Sequence, residues 1–278
     1  MNRLLAFIRL SRLHFLAGGF LMYGLGAAAA PGVDIGPYWV GQAMVTASQI
    51  TAHYVNEYAD LEHDRRVENR TIFSGGSGVL AGGELLPVVA LRAAWASTLI
   101  ALVAAALLVG VNIWAAGLGV ASLAVSWAYS MPPARLLGRG TGELAASAVV
   151  AGAFPLIGSL AQDASPNSEL WWAVAVLVPV HGAMMLAFEV PDLEADTGSG
   201  KRVLAVRLGH RVTIVLIAAL VGLAVVMALA SSSLWVLPAA IPAVALFGAL
   251  RAQHHAVLTI SAVAMFVVAG SGLLVALA

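Results

Sequence analysis

Two nine-residue segments carry most of the chemistry available to this chain. Residues 56–64 read NEYADLEHD and residues 188–196 read FEVPDLEAD. Aligned without gaps, they pair Glu57 with Glu189, Asp60 with Asp192, Leu61 with Leu193, Glu62 with Glu194 and Asp64 with Asp196. Such a match at equivalent places in two halves is the mark of an internal duplication. Side chains four apart share one face of a helix. Asn56, Asp60 and Asp64 therefore form one polar stripe, and Asp192 and Asp196 form another. Like charges at this spacing repel, most strongly where water is scarce, and a divalent cation removes the repulsion. With oxygen ligands and no thiolate, the expected ion is a hard one such as magnesium, which keeps several waters and bridges to phosphate oxygens.

Cations sit beside both stripes. Arg65, Arg66 and Arg70 precede the glycine-rich stretch FSGGSGVL at 73–80, and TGSGKR at 197–202 supplies Lys201 and Arg202. A third segment, YSMPPARLLGRG at 129–140, adds Tyr129, Arg135 and Arg139. Carboxylates holding metal, with Arg and Lys on phosphate oxygens, describe a site for a metal–polyphosphate complex. TGSGKR is not a Walker A loop, because Ala195 replaces its first glycine and Arg202 its Ser or Thr. Gln49, His53 and His181 lie in the apolar runs leading into the two motifs. They are candidates for an acceptor-side pocket, or for hydrogen-bonded packing positions.

The elements that must position these residues are membrane helices. Of 278 residues, 61% are hydrophobic and 10% charged, whereas soluble domains carry about 25% charged residues. Mean hydropathy is +0.93. The 14 Lys and Arg balance 14 Asp and Glu, and with no basic tract a nucleic-acid partner is excluded. There is no cysteine, hence no disulfide or thiol chemistry. Charge-free intervals measure the crossings, at about 20 residues each. Residues 13–33, 35–56, 144–162, 170–188 and 252–278 give one crossing apiece. The intervals 93–134 and 212–250 give two each, turning near Gly110 and Asn112 and at Ser231–Ser233.

The expectation is thus an all-α polytopic membrane protein with nine transmembrane helices, forming one unit over residues 1–278, without strands. Under that topology all 14 basic residues fall on one side, together with 11 acids, while Asp34, Asp163 and Glu169 alone mark the other. The positive-inside rule makes the basic side cytoplasmic, placing the N-terminus inside and the C-terminus outside. Arg3, Arg9 and Arg12 before the first apolar run mimic a signal peptide, but another span follows, so that run is read as a retained helix. The two motifs then sit at the cytoplasmic ends of spans two and six.

NEYADLEHD resembles the first N-x-x-x-D-x-x-x-D motif of the UbiA superfamily of intramembrane prenyltransferases, and DLEAD followed by GKR resembles their second. The opening IRLSRLHFL, the YSMPPARL loop and the nine-helix layout are similar too, so the resemblance covers essentially the whole chain. FSGGSGVL is most like the branch that prenylates 1,4-dihydroxy-2-naphthoate on the way to menaquinone. The resemblance implies a UbiA-like bundle with cytoplasmic cap loops in the inner membrane. It also implies Mg2+, a polyprenyl diphosphate donor and an aromatic acceptor. Asn56, Asp60, Asp64, Asp192 and Asp196 would be the magnesium–diphosphate ligands. Arg65, Arg70, Tyr129, Arg135, Lys201 and Arg202 would contact diphosphate, and Asp64 or Asp192 would take the proton lost by the acceptor. Leu13, Phe188, Arg135 and Val203 depart from the family pattern, and Phe188 and Arg135 bear on which acceptor is used. Lipid-glycerol prenylation and terpene cyclisation are the alternatives within the superfamily. A transporter is the alternative outside it, although acids clustered at one membrane face, away from the midplane, weigh against transport.

Overall fold

The computed structural model describes residues 2–66, 70–199 and 202–278, except the side chains of Ala195 and Ser199. Among them there is no strand. The helices are α1 (Arg3–Leu10), α2 (Leu16–Ala28), α3 (Ile35–Ala59), α4 (Leu61–Asp64), α5 (Pro87–Val109), α6 (Ile113–Ser130) and α7 (Gly142–Ser147). They continue with α8 (Phe154–Leu160), α9 (Ser168–Glu189), α10 (Leu193–Ser199), α11 (Leu204–Ala230), α12 (Ala240–Ala252) and α13 (His255–Leu277). A π-helical segment, Ala148–Ala153, joins α7 to α8. It ends two residues before Pro155, whose missing N–H cannot continue the α-helical ladder.

Eight stretches are long and apolar enough to cross a membrane. The expected second span, α3, has the length at 25 residues but is not among the eight. Gln42, Gln49, His53, Asn56 and Glu57 dilute its apolarity. These residues are turned inward: Gln42 and Glu57 are buried and the other three are partly so. α3 is wrapped by α2, α5, α6 and α8, so its polar side chains face protein and a cavity. The expected turns are present. α5 ends at Val109, and Asn112 caps α6 by accepting from the N–H groups of Trp114 and Ala115 at 3.0 and 3.3 Å. α11 ends at Ala230, just before the three serines.

The end of the bundle far from the two motifs is knitted by polar turns. Gln162 Oε1 accepts from the Asp34 N–H at 2.6 Å, Asn112 Nδ2 donates to Asp163 at 3.2 Å, and Asn167 Nδ2 donates to the Ala29 carbonyl at 3.1 Å. Asp34 and Asp163 therefore share one end, as the charge pattern requires. Exposed Trp39, Trp114, Trp171, Trp172 and Trp235 lie within a few residues of these turns or of the serine turn, the arrangement of an interfacial aromatic belt.

Close helix contact rests on glycine at two reciprocal positions. A Cβ on Gly26 of α2 would strike the Pro155 carbonyl of α8, and one on Gly158 of α8 would strike the backbone at Tyr23 and Ala27. Backbones this near exclude any side chain. Gly158→Ala is expected to destabilise the bundle by about 1–3 kcal/mol, read as a lower thermal midpoint in detergent; an unchanged midpoint would show that the two helices separate freely.

Candidate active site

The first acidic stripe survives a break in its helix. α3 stops at Ala59, but Asp60 N–H still donates to the Asn56 carbonyl and Asp64 N–H to the Asp60 carbonyl, each at 2.8 Å. The four-residue register therefore runs from α3 through α4. Asn56 Nδ2 donates to Asp60 Oδ2 at 2.9 Å and to Ser130 Oγ of α6 at 3.1 Å, which ties the stripe to the bundle. The second stripe forms differently. α9 ends at Glu189, two residues before Pro191, and the chain restarts as α10, with Asp196 N–H donating to the Asp192 carbonyl at 2.8 Å. His63 Nε2 meets Asp196 Oδ1 at 2.6 Å and joins the two motifs directly.

Asn56, Asp60, Asp64, Asp192 and Asp196 all line one cavity, together with Gln49, His53, Tyr129 and His181. His181 lies eight residues before Glu189 on α9, so the cavity runs about 12 Å into the bundle along that helix. Its inner wall is apolar, with Val149, Val150, Phe154, Met184, Val263 and Phe266. The three polar residues of the wall are held by the scaffold. Gln49 Nε2 donates to the Phe15 carbonyl at 2.9 Å, His53 Nδ1 lies 3.3 Å from the Ser11 carbonyl, and His181 Nδ1 lies 3.0 Å from Ser147 Oγ. Each is thus bonded to the scaffold and also lines the cavity.

Between the acidic mouth and the apolar interior stands an aromatic group. Phe73 and Phe188 stack in parallel, with centroids 5.7 Å apart, and Phe15 presents an edge to both. Phe73 comes from the glycine-rich segment, which folds over the mouth with Ser74, Gly75 and Gly76 in the cavity wall. Ser77 fastens that segment: its N–H and Oγ each donate to the Glu57 carboxylate at 2.6 Å. Gly76, at φ 69°, lies so close to Asp64 that any Cβ would collide with the carboxylate.

The cations divide sharply. Arg65 pairs with Glu62 at 2.6 Å in the open. Arg70 donates to the Gly75 and Asp64 carbonyls, so it shapes the loop. Arg135 and Arg202 are exposed, and none of these four is in the cavity wall. Lys201 lies outside the described residues. Among the described residues, the Arg or Lys that lines the cavity is Arg12, from the break between α1 and α2, where it has φ 48°. Its side chain is 12% exposed, with Nη1 3.8 Å from Glu57, Nη2 3.4 Å from the Phe73 carbonyl, and the guanidinium 4.5 Å above the Phe15 ring. Reading by motif passed over Arg12, although it sits in the IRLSRLHFL segment. It also gave no role to Glu57 and Glu189, although both recur in the duplicated motif. The structure shows that they do equivalent work: Glu57 accepts the Ser77 N–H and Glu189 accepts the Ala205 N–H at 2.9 Å.

Among the described residues no three carboxylate or imidazole side chains converge as a ready-made metal cage. The donors are all oxygens, on two facing segments around one mouth. That set fits magnesium, which takes one or two carboxylates and completes its shell with water and substrate phosphate.

Comparison with known proteins follows the same lines. Residues 17–269 match the model of the UbiA prenyltransferase family. A curated relative, 1,4-dihydroxy-2-naphthoate octaprenyltransferase from Bacillus subtilis (strain 168), is 27% identical over 180 residues, a match spanning 62% of this chain and 54% of the relative. The apo structure of a UbiA homolog from Aeropyrum pernix K1 superposes with a TM-score of 0.75 at 17% identity, covering 96% of this chain and 99% of that one. A UbiA homolog from Archaeoglobus fulgidus bound to GPP and Mg2+ gives 0.67 at 15% identity, covering 94% and 86%.

Proposed function

The chain belongs to the UbiA prenyltransferase family, and we propose that it transfers a polyprenyl group from an isoprenyl diphosphate to an aromatic quinone precursor of the 1,4-dihydroxy-2-naphthoate type. One observation carries this reading: two carboxylate stripes meet at the mouth of a cavity whose inner wall is apolar. That is the shape of a molecule with a charged diphosphate head and a hydrocarbon tail. The named relative supports the choice of acceptor.

Asn56, Asp60, Asp64, Asp192 and Asp196 would hold magnesium with the diphosphate, and Arg12 and Tyr129 face the same space. Lys201 keeps its proposed role on the diphosphate, while Arg65, Arg70, Arg135 and Arg202, which do not line the cavity, would reach the diphosphate only by leaving their present contacts. Bound Mg2+ would supply neutralisation of the negative charge that develops on the leaving diphosphate. The apolar wall holds the prenyl tail, and the Phe73–Phe188–Phe15 group excludes water from the allylic carbon. We assign the chain nine crossings as a single unit in the cytoplasmic membrane, α3 included, with N-terminus and site on the cytoplasmic side. The grouping of Asp34 and Asp163 at the far end supports that orientation.

Purified protein given a prenyl diphosphate, Mg2+ and a panel of acceptors is expected to yield a prenylated naphthoate by mass spectrometry, with activity lost in EDTA and restored by excess Mg2+. Undiminished product in EDTA, or cyclised hydrocarbon formed without acceptor, would overturn the reading.

A further inference from the structure

His181, only 3% exposed, belongs to the same inner wall of the cavity as Met184, Val263 and Phe266. Its hydrogen bonds fix what it offers to that space. Ser147 Oγ spends its one hydrogen on the Glu143 carbonyl at 2.7 Å, so His181 Nδ1, 3.0 Å away, donates to the Ser147 oxygen. Phe266 packs T-shaped against the imidazole, with centroids 4.9 Å apart, and no carboxylate among the described residues pairs with it. A buried imidazole in such surroundings is neutral. A neutral ring that donates from Nδ1 carries its lone pair on Nε2. Among the described residues nothing donates to Nε2, and the atom is not sealed in by protein as Gln49 Oε1 is beside Gly19. The apolar end of the cavity therefore presents a directional hydrogen-bond acceptor.

A prenyl tail has no hydrogen to give to that lone pair, whereas a hydroxylated ring has. Resting on the function proposed above, we infer that His181 Nε2 accepts a hydrogen bond from a ring hydroxyl of the aromatic acceptor, and so selects and orients it. The depth of the residue suits this role. His181 lies about 12 Å inward of Glu189 along α9. With the diphosphate at the acidic mouth, the ring lies between, its attacked carbon toward the allylic carbon and a hydroxyl toward the imidazole. An acceptor lacking that hydroxyl hydrogen leaves Nε2 buried and unsatisfied, and a site built to bond a hydroxyl rejects such an analogue. The acceptor class is thereby narrowed to rings with a free hydroxyl on the side remote from the diphosphate.

Acceptor binding is read by titration calorimetry with Mg2+ and an unreactive prenyl thiodiphosphate at saturation. The unaltered protein should bind 1,4-dihydroxy-2-naphthoate about 10-fold or more tighter than one of its two monomethyl ethers. His181→Leu keeps the wall filled, and Ser147 Oγ retains its bond to the Glu143 carbonyl. It is expected to weaken diol binding by about 10-fold and to bring diol and ether within about threefold of each other. Thiodiphosphate affinity should stay within about threefold. His181→Gln, whose amide oxygen can take the place of Nε2, should recover most of the preference for the diol. The ether comparison needs no variant and decides by itself if His181→Leu does not fold. Both ethers binding as well as the diol, the preference surviving in His181→Leu, or thiodiphosphate affinity falling in parallel would each overturn the assignment, even with prenylated naphthoate still formed. Absence of any aromatic product from the unaltered protein would overturn the proposed function and this assignment together.

Discussion

Asp192→Asn and Asp60→Asn are each expected to lower prenyl transfer by roughly 100- to 1,000-fold without unfolding the protein. Asparagine preserves the local structure at both sites. Asp192 stands where its carbonyl opens α10 by accepting from Asp196 N–H at 2.8 Å, and asparagine is as good as aspartate at such a cap. Asp60 accepts from Asn56 Nδ2 at 2.9 Å, which an amide oxygen can also do. What is lost is the negative charge that would hold magnesium beside the diphosphate. The effect should appear as a lower kcat and a higher Mg2+ requirement, with the thermal midpoint unchanged. Either variant retaining more than about a tenth of the original kcat at saturating Mg2+ would remove that carboxylate from the proposed metal site.

Arg12→Met is expected to raise the Kd for a prenyl thiodiphosphate by about 10-fold or more. The argument is one of position. Among the described residues, Arg12 is the Arg or Lys in the cavity wall, and its 12% side-chain exposure leaves little water to screen it. It also anchors the glycine-rich segment through the Phe73 carbonyl and faces Glu57, which holds Ser77. Methionine keeps most of the apolar volume above Phe15 but removes charge and donors. A lysine would keep the charge and lose the planar stacking, so Arg12→Lys should fall between the two. Equal affinity for all three forms, measured by titration calorimetry, would assign Arg12 to loop folding alone. A drop in thermal midpoint accompanies Arg12→Met, because Glu57 at 2% exposure loses a nearby cation.

Much of the fold was legible because membrane insertion depends on summed apolarity over about 20 residues, a property each stretch of chain carries by itself. The turns at Gly110–Asn112 and Ser231–Ser233 appeared where charge-free intervals doubled. α3 shows the limit of that ruler. Its 25 residues are the right length, but its polarity reflects what it faces in the bundle. The acidic stripes were legible for a similar local reason. Asn56, Asp60 and Asp64 repeat every four residues, and the carbonyl–amide bonds between them persist even where α3 gives way to α4.

The basic residues followed another rule. Nearness in sequence to a motif suggested Arg65, Arg70, Arg135 and Arg202, yet each turns to a carboxylate, a carbonyl or solvent. A long side chain at a helix end has many rotamers, and the contacts of its loop choose among them. Arg12, 44 positions before Asn56 in the chain, reaches the cavity because the left-handed break before α2 turns it inward. Glu189 gains its partner in the same manner, accepting from the Ala205 N–H as α11 arrives against α9.

By itself, the sequence determined the solvent, the helical class and the two carboxylate stripes, all of which depend on composition or on spacing within a few residues. Tertiary structure alone decided which cation among the described residues faces the cavity, which buried acids meet each other, and how Phe73 is laid on Phe188. Those outcomes depend on contacts between segments far apart in the chain, and only the packed bundle fixes where such side chains point.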